Sequence, residues 1–285
     1  MYTTLISAQD LAKQIDQPHT VILDCRHDLM DLSAGQAAYD CAHLPGARFA
    51  HLDQQLSGSK MSPDGKFRGR HPLPDENEFI QNLRAWGIDN ATQVIAYDAH
   101  GGMFAARLWW LLRWVGHSSV AVLDGGLPAW IALGLSVTDK LPEVVRGDIT
   151  AKPSLVAQVN VAEVLANLAT ATRSLVDARA PDRYRGENES IDPVGGHIPG
   201  ARNRFFKDNL QADGRFKGAQ QLRTEWLDMV PDVSRSIMQC GSGVTACHNL
   251  LALEVAGLSG AALYPGSWSE WCAESVRPVM RGQDA

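Results

Sequence analysis

The sequence predicts an α/β protein made as a tandem duplication, each half a mostly parallel sheet flanked by helices. Three observations lead there. Five short segments recur in the same order in the two halves, apolar runs of strand length alternate with helical patterns, and the composition suffices for two cores. The chain has 285 residues, 45% of them hydrophobic and 20% charged. At roughly 150 residues per domain that length suits two domains.

The repeat comes first, because it decides the architecture. In the first half VILDCR (21–26), HLPGAR (43–48), DGKFR (64–68), VIAYD (94–98) and VAVLDGG (120–126) follow one another. In the second half SLVDAR (174–179), HIPGAR (197–202), DGRFK (213–217), SIMQC (236–240) and AALYPG (261–266) follow in the same order. One such match is within the reach of chance, but not five in register. TVILD, QVIAYD and VAVLD read as strands buried on both faces, as in parallel sheets. MFAARLWWLLRWVG reads as a helix with a wide apolar face, and TACHNLLALEVAGL as its counterpart, closed by Gly257 or Gly260. Alternation of this kind implies two α/β units. The stretch 139–154, DKLPEVVRGDITAKPS, has mixed charge, two prolines and no period. It is expected as a linker between domains at 1–138 and 155–285.

Charge and cysteine usage exclude several classes of function. A formal net charge of −6 gives no bulk electrostatic reason to bind nucleic acid or an anionic membrane. An anionic ligand must therefore be held by a local arrangement. The N-terminus lacks the basic start and apolar run of a signal peptide, and no apolar stretch approaches the ~18 residues of a membrane span. The five cysteines show no C-x-x-C, so neither a disulfide framework nor a structural zinc site is expected. The expectation is a cytoplasmic protein with reduced thiols.

Functional loops of open parallel sheets lie where a strand hands over to a helix. At the fourth matched pair the first half ends its strand with Asp98, and the second ends with Cys240. After Cys240, the residues Gly241, Ser242, Gly243, Val244 and Thr245 form a glycine-rich loop leading straight into a helix. Such a loop points backbone N–H groups inward, and the helix N-terminus adds partial positive charge. Both favour thiolate over thiol, and so a nucleophilic Cys240. Asp98 cannot do this, which leaves the first half as scaffold. A buried core cysteine is the plain alternative, but core packing does not require a Gly-x-Gly loop. A dinucleotide fingerprint lacks its acidic partner, since Tyr264 ends the next strand. No Gly-Lys-Ser/Thr makes a Walker loop, and Ala246 stands where a cysteine phosphatase wants its arginine.

Matched halves, Asp-x-Arg, His-Ile-Pro-Gly-Ala and the Cys-Gly-Ser-Gly-Val-Thr loop resemble the two-domain rhodanese-type sulfurtransferases over nearly the whole chain. The loop lettering looks like their 3-mercaptopyruvate branch. Thiosulfate-using members typically carry basic residues after the cysteine, where Gly241 and Ser242 stand here. The resemblance implies two rhodanese-like domains and a Cys240 persulfide. The cysteine would take a sulfane sulfur from 3-mercaptopyruvate, or alternatively from thiosulfate, and pass it to a small thiol, a thioredoxin-like protein or cyanide. No metal or organic cofactor is implied. A reading of another class is an inactive tandem module that binds a partner or senses oxidants through Cys240.

Both donors are anions, so an arginine clamp is expected. Arg183 matches the family's substrate-contacting arginine by resemblance. Arg179 and Arg185 are the neighbouring candidates, though Arg179 has a counterpart in Arg26 and so suits a structural ion pair. The second arginine usual in the mercaptopyruvate branch is absent from GENESIDPVGG (186–196), which leaves Arg185 as its substitute. By resemblance Ser242 contacts the donor or persulfide together with the loop residues Gly241, Gly243, Val244 and Thr245, Thr245 serving equally well as a helix cap. His71 and Asp53 are expected, also by resemblance, to assist proton transfer. His43 and His197 occur in both halves and suit a turn-stabilising role. Cys247 lies two helical turns beyond Cys240, too far for a disulfide. Trp109, Trp110 and Trp114 read as packing, whereas Trp268 or Trp271 is expected to flank the site.

Overall fold

Short β-branched runs pair side by side in each half, and every strand pair in the two sheets is parallel. A computed structural model describes residues 1–282. In the first half the elements are β1 (Leu5–Ile6), α1 (Ala8–Ala12), β2 (Thr20–Asp24), α2 (Ala34–Cys41), β3 (Arg48–Phe49), α3 (Leu52–Gln55), α4 (Glu76–Ala85), β4 (Gln93–Tyr97), α5 (Ala105–Trp114), β5 (Val120–Leu123) and α6 (Gly126–Ala132). In the second they are β6 (Ala157–Gln158), α7 (Val161–Thr170), β7 (Ser174–Asp177), α8 (Pro181–Arg185), β8 (Ala201–Asn203), α9 (Ala219–Met229), β9 (Ser236–Gln239), α10 (Thr245–Val255), β10 (Ala262–Leu263) and α11 (Ser267–Trp271). The strand orders, β1-β5-β4-β2-β3 and β6-β10-β9-β7-β8, are the same topology written twice.

Register puts the apolar residues in rows. Ile22, Ile95 and Ala121 stand side by side in one sheet, and Leu175, Ile237 and Ala262 in the other, all buried. Sheets covered on both faces need continuous apolar strands, which is why these runs do not alternate. The helices after the central strands, α5 and α10, are buried through Ala105–Leu112 and Ala246–Leu253 respectively, so nearly every face of each is covered. Gly257, at φ +67°, ends α10 with its N–H on Glu254 O, while Leu258 N–H returns to Leu253 O. Gly257, not Gly260, is therefore the stop.

The compact units are composite. The first comprises Met1–Gly58, Pro74–Leu155 and Leu210–Phe216; the second comprises Ser59–Leu73, Val156–Asn209 and the chain from Lys217 onward. The segments carrying DGKFR and DGRFK are thus grouped with the opposite half, where boundaries at 1–138 and 155–285 would keep each with its own. Each is a small hairpin closed by a bridge, Met61 with Phe67 and Leu210 with Phe216. Residues 139–154 belong to the first unit instead of hanging between the two. Gly147 N–H donates to Arg84 O at 2.8 Å, Ile149 N–H to Ile88 O at 3.2 Å and Lys152 N–H to Val115 O at 3.0 Å. The strap bonds carbonyls at helix ends and turns, not a ladder, which explains its lack of sequence period.

A matched ion pair braces each sheet. Arg26 grips Asp24 and the Ala42 carbonyl, and Arg179 grips Asp177 and the Gly196 carbonyl. Beside them His43 stacks on Tyr39 at 4.0 Å and His197 on Tyr184 at 3.8 Å, each histidine using Nδ1 on its tyrosine's carbonyl. Burial pushes His197 below the ordinary imidazole value. Both histidines therefore secure the turn that follows.

On α9, Glu225 accepts from Arg204 at 2.6 Å, Lys217 at 3.0 Å and Gln221 at 3.0 Å. Partial burial works against its charge, but these bonds hold the carboxyl down from 4.5 to about 2. A depressed carboxyl stabilises the fold above its unfolded value, and that contribution is lost as pH falls through the folded one. Urea midpoints of the wild type should therefore fall further than those of Glu225→Gln between pH 4.5 and about 2. Parallel curves would show that the cluster adds nothing.

Candidate active site

Central strand β9 ends at Gln239, so Cys240 stands at the carboxyl end of its sheet, with α10 starting five residues on. The turn after β10 fixes its backbone. Cys240 N–H donates to Ser267 Oγ at 3.1 Å, and its carbonyl accepts from Trp268 N–H at 2.9 Å. The Gly241 carbonyl accepts from Ser269 N–H at 2.9 Å. Ser267 holds a left-handed φ of +53°, and its hydroxyl donates to Tyr264 O at 2.9 Å. Gly243 is needed twice over. Its φ is +76°, and a Cβ there would lie 2.4 Å from Pro265 O.

With the backbone so held, Gly243 N–H donates to Cys240 Sγ at 3.1 Å. Among the described residues the Ser242, Val244 and Thr245 amides have no protein acceptor. Val244 is the N-cap of α10 and no side chain caps it, so Thr245 is not the cap that its chemistry suggested. The loop is a set of convergent donors at a helix N-terminus.

The first unit shows what such donors demand. There Asp98 turns its own carboxylate into the loop before α5. Oδ1 accepts from His100 N–H at 2.7 Å and Gly102 N–H at 3.0 Å; Oδ2 accepts from Phe104 N–H at 2.8 Å and Ala105 N–H at 3.0 Å. That cradle is filled by an internal anion.

Two guanidinium groups cover the Cys240 loop. A Cβ on Gly241 would lie 2.7 Å from Arg70 Nη2 and 3.7 Å from both Nη1 and Nη2 of Arg183. Arg183 reaches from α8, held by Glu189 through Nε and Nη2 and by Asp192 at 3.2 Å. Burial works against the Glu189 charge, but the Arg183 bonds and the Asp192 and Ile191 amides keep its carboxyl below the usual value. Arg70 Nη1 shares Asp192. His71, next along, places Nδ1 2.7 Å from Ser242 Oγ.

Not every expected residue arrives. Arg179 is 3% exposed and engaged by Asp177, Gly196 O and the Trp268 ring at 4.7 Å, so it braces the sheet and is no free clamp. Arg185 pairs with partly exposed Glu187 at 2.7 Å and is not brought to the loop. Arg70 stands where Arg185 was expected. The Trp268 and Trp271 rings are fully buried, donating to Val194 O and Pro278 O; Trp268 meets the site through its backbone N–H and not through its ring. Asp53 Oδ2 lies 3.6 Å from His27 Nε2 and keeps its expected part as an acid–base group. Cys247 rests its Sγ on Gly243 O at 3.3 Å. Arg70 carried one signal in the sequence: GRHPLP has no equivalent in the second half, so its arginine is not explained by the shared scaffold.

Two other buried thiols, Cys25 and Cys272, are held protonated by their surroundings. Burial, aided by Asp24 and Asp98, pushes Cys25 up, and burial beside Asp192 takes Cys272 up to about 11. Brief alkylation at neutral pH, read by peptide mass, should label exposed Cys41 and, although it is buried, the nucleophilic Cys240, while sparing Cys25 and Cys272. Labelling of Cys272 on a par with Cys240 would contradict this. Gly243→Ala should cost about 1–3 kcal/mol of stability and slow Cys240 alkylation, because the loop must move off Pro265. Unchanged melting and alkylation would refute the close approach.

Residues 7–133 and 160–274 each match the rhodanese-like domain. A Pseudomonas aeruginosa protein named "Probable 3-mercaptopyruvate sulfurtransferase" is 46% identical over 282 residues, covering 98% of both chains. The thiosulfate sulfurtransferase of Mus musculus is 35% identical, covering 95% of this chain and 92% of that one. The solved 3-mercaptopyruvate sulfurtransferase of Leishmania major superposes with a TM-score of 0.83 at 30% identity, covering 97% of this chain and 75% of that one.

Proposed function

The chain belongs to the rhodanese-like sulfurtransferases, and from that premise we propose that it moves sulfur from 3-mercaptopyruvate through a Cys240 persulfide to a thiol or cyanide. The observation that carries this reading is Cys240 Sγ at 3.1 Å from Gly243 N–H, at the mouth of a loop whose other amides await an acceptor. Cys240 thiolate attacks the donor's thiol sulfur. The carbon–sulfur bond breaks, its electron pair leaves on carbon as the enolate of pyruvate, and the sulfur remains on Cys240 as a persulfide. The enolate takes the proton that sulfur carried and departs as pyruvate. Attack by an acceptor thiolate or cyanide on the outer sulfur restores the Cys240 thiolate.

The Ser242, Val244 and Thr245 amides suit the charge on the persulfide, a preorganised electrostatic role. Arg183 suits the donor's carboxylate. The short contact between His71 and Ser242 favours mercaptopyruvate over thiosulfate. A leaving enolate must gain a proton, and a hydroxyl–imidazole pair can relay one. Sulfite, the leaving group of thiosulfate, needs none. Asp53, whose Oδ2 lies 3.6 Å from His27 Nε2, suits the carboxylate that supports such a relay. Acceptors of either kind, a small thiol or a thioredoxin-like protein, fit the chemistry. No described helix is long and apolar enough to cross a membrane. A cytoplasmic setting suits the five free cysteines.

The test is kcat/KM with 3-mercaptopyruvate and with thiosulfate, cyanide as acceptor, in wild type, Cys240→Ser and His71→Asn. The wild type should prefer mercaptopyruvate, Cys240→Ser should abolish turnover, and His71→Asn should lower mercaptopyruvate turnover roughly 10²-fold or more while affecting thiosulfate less. A thiosulfate preference would reassign the donor. Absence of turnover with either, in reduced protein, would favour a binding or oxidant-sensing module.

A further inference from the structure

We infer that Arg70 is a second donor-binding residue of the Cys240 site, holding the carboxylate of the α-keto acid jointly with Arg183. The inference rests on the mercaptopyruvate reading above for the identity of the donor.

Arg70 is placed with unusual firmness for a residue on a hairpin. Its backbone N–H donates to Ser269 Oγ at 3.1 Å. Preceding Gly69 has φ +98° and lies so close to the turn after β10 that a Cβ there would be 2.7 Å from Gly266 O. The side chain is anchored at one nitrogen only. Nη1 bonds Asp192, whose own side chain is 3% exposed and also takes Arg183 Nη2 at 3.2 Å. One buried carboxylate thus sets the two guanidinium planes relative to each other.

The other edges of those planes remain open. Among the described residues Arg70 Nε and Nη2 and Arg183 Nη1 have no acceptor. Arg70 Nη2 and Arg183 Nη1 lie 2.7 and 3.7 Å from the same point above Gly241, the residue following the nucleophile. Two cationic donors converging from two side chains match the two oxygens of a carboxylate. Locally the charges of Arg70 and Arg183 are balanced by Glu189 and Asp192. The subsite therefore selects by directed hydrogen bonds more than by net charge. An arginine that served only to neutralise Asp192 would have no reason to turn its second nitrogen over the reactive loop.

The experiment combines turnover with binding of pyruvate, the product carrying the same carboxylate. In Arg70→Ala the KM for 3-mercaptopyruvate should rise roughly 10–100-fold with kcat within a few-fold. Lys66→Ala, an exposed cation on the same hairpin, should leave KM unchanged. Pyruvate titrated calorimetrically into Cys240→Ser should bind at least tenfold more tightly than into Cys240→Ser/Arg70→Ala. Arg70→Lys keeps a charge opposite Asp192 and so guards against loss of the fold. It lacks the second nitrogen of the fork and should bind pyruvate several-fold more weakly than its parent. Parent-like pyruvate affinity in the Arg70 variants, or no pyruvate binding in the parent, overturns the inference. Absence of mercaptopyruvate turnover in the wild type sinks the donor assignment instead, and the pyruvate titration still decides the role of Arg70.

Discussion

Backbone N–H groups that converge at a helix N-terminus, shut away from water, need an acceptor, and both central strands of this protein run into such a cluster. The acceptor chosen there determines what each half becomes. In the first unit four amides close on the Asp98 carboxylate, and the cluster is satisfied from within. In the second the Cys240 sulfur takes one amide and leaves its neighbours open. The same parallel sheet thus supports an inert cap in one unit and a reactive sulfur in the other. The difference lies in one side chain and the length of the loop that follows it.

Much of the rest of each unit exists to hold that loop still. The Asp–Arg pairs at Asp24 and Asp177 tie the second strand of each unit to the turn ahead of the next, and the tyrosine–histidine stacks close the same turn. In the second unit the start of α11 adds three hydrogen bonds to the Cys240 and Gly241 backbone, with Ser267 in a left-handed conformation. Reactivity therefore depends on a buried hydrogen-bonded frame, which fits the general finding that sites gain from rigid support.

The duplication, the strand runs and the Cys240 loop were legible because each is written in contiguous residues. VIAYD and SIMQC are both continuous apolar stretches, and Gly-Ser-Gly before a helical pattern is a local signal. Arg179 was legible in its structural role through its twin Arg26. Arg70 was marked only by the lack of a second-half equivalent for GRHPLP; its meaning arises from Gly69 against Gly266 and from Asp192, more than a hundred residues away. Arg185 misled for the opposite reason. It is near in sequence to Arg183, but Glu187 holds it on the surface. Trp268 follows the loop in sequence, yet the Arg179 guanidinium over its ring and the Val194 carbonyl keep it inside.

The composite make-up of the two units bears on how the chain reaches its final form. Synthesis proceeds from the N-terminus, and domains ordinarily complete themselves in that order. Here the earlier unit includes residues 210–216, so it stays short of one piece until half of its successor has been made. The later unit includes residues 59–73, made long before the strands they join. Neither half of the gene encodes a finished body. A cut between the two halves of the chain would leave each fragment without a segment that its own unit contains.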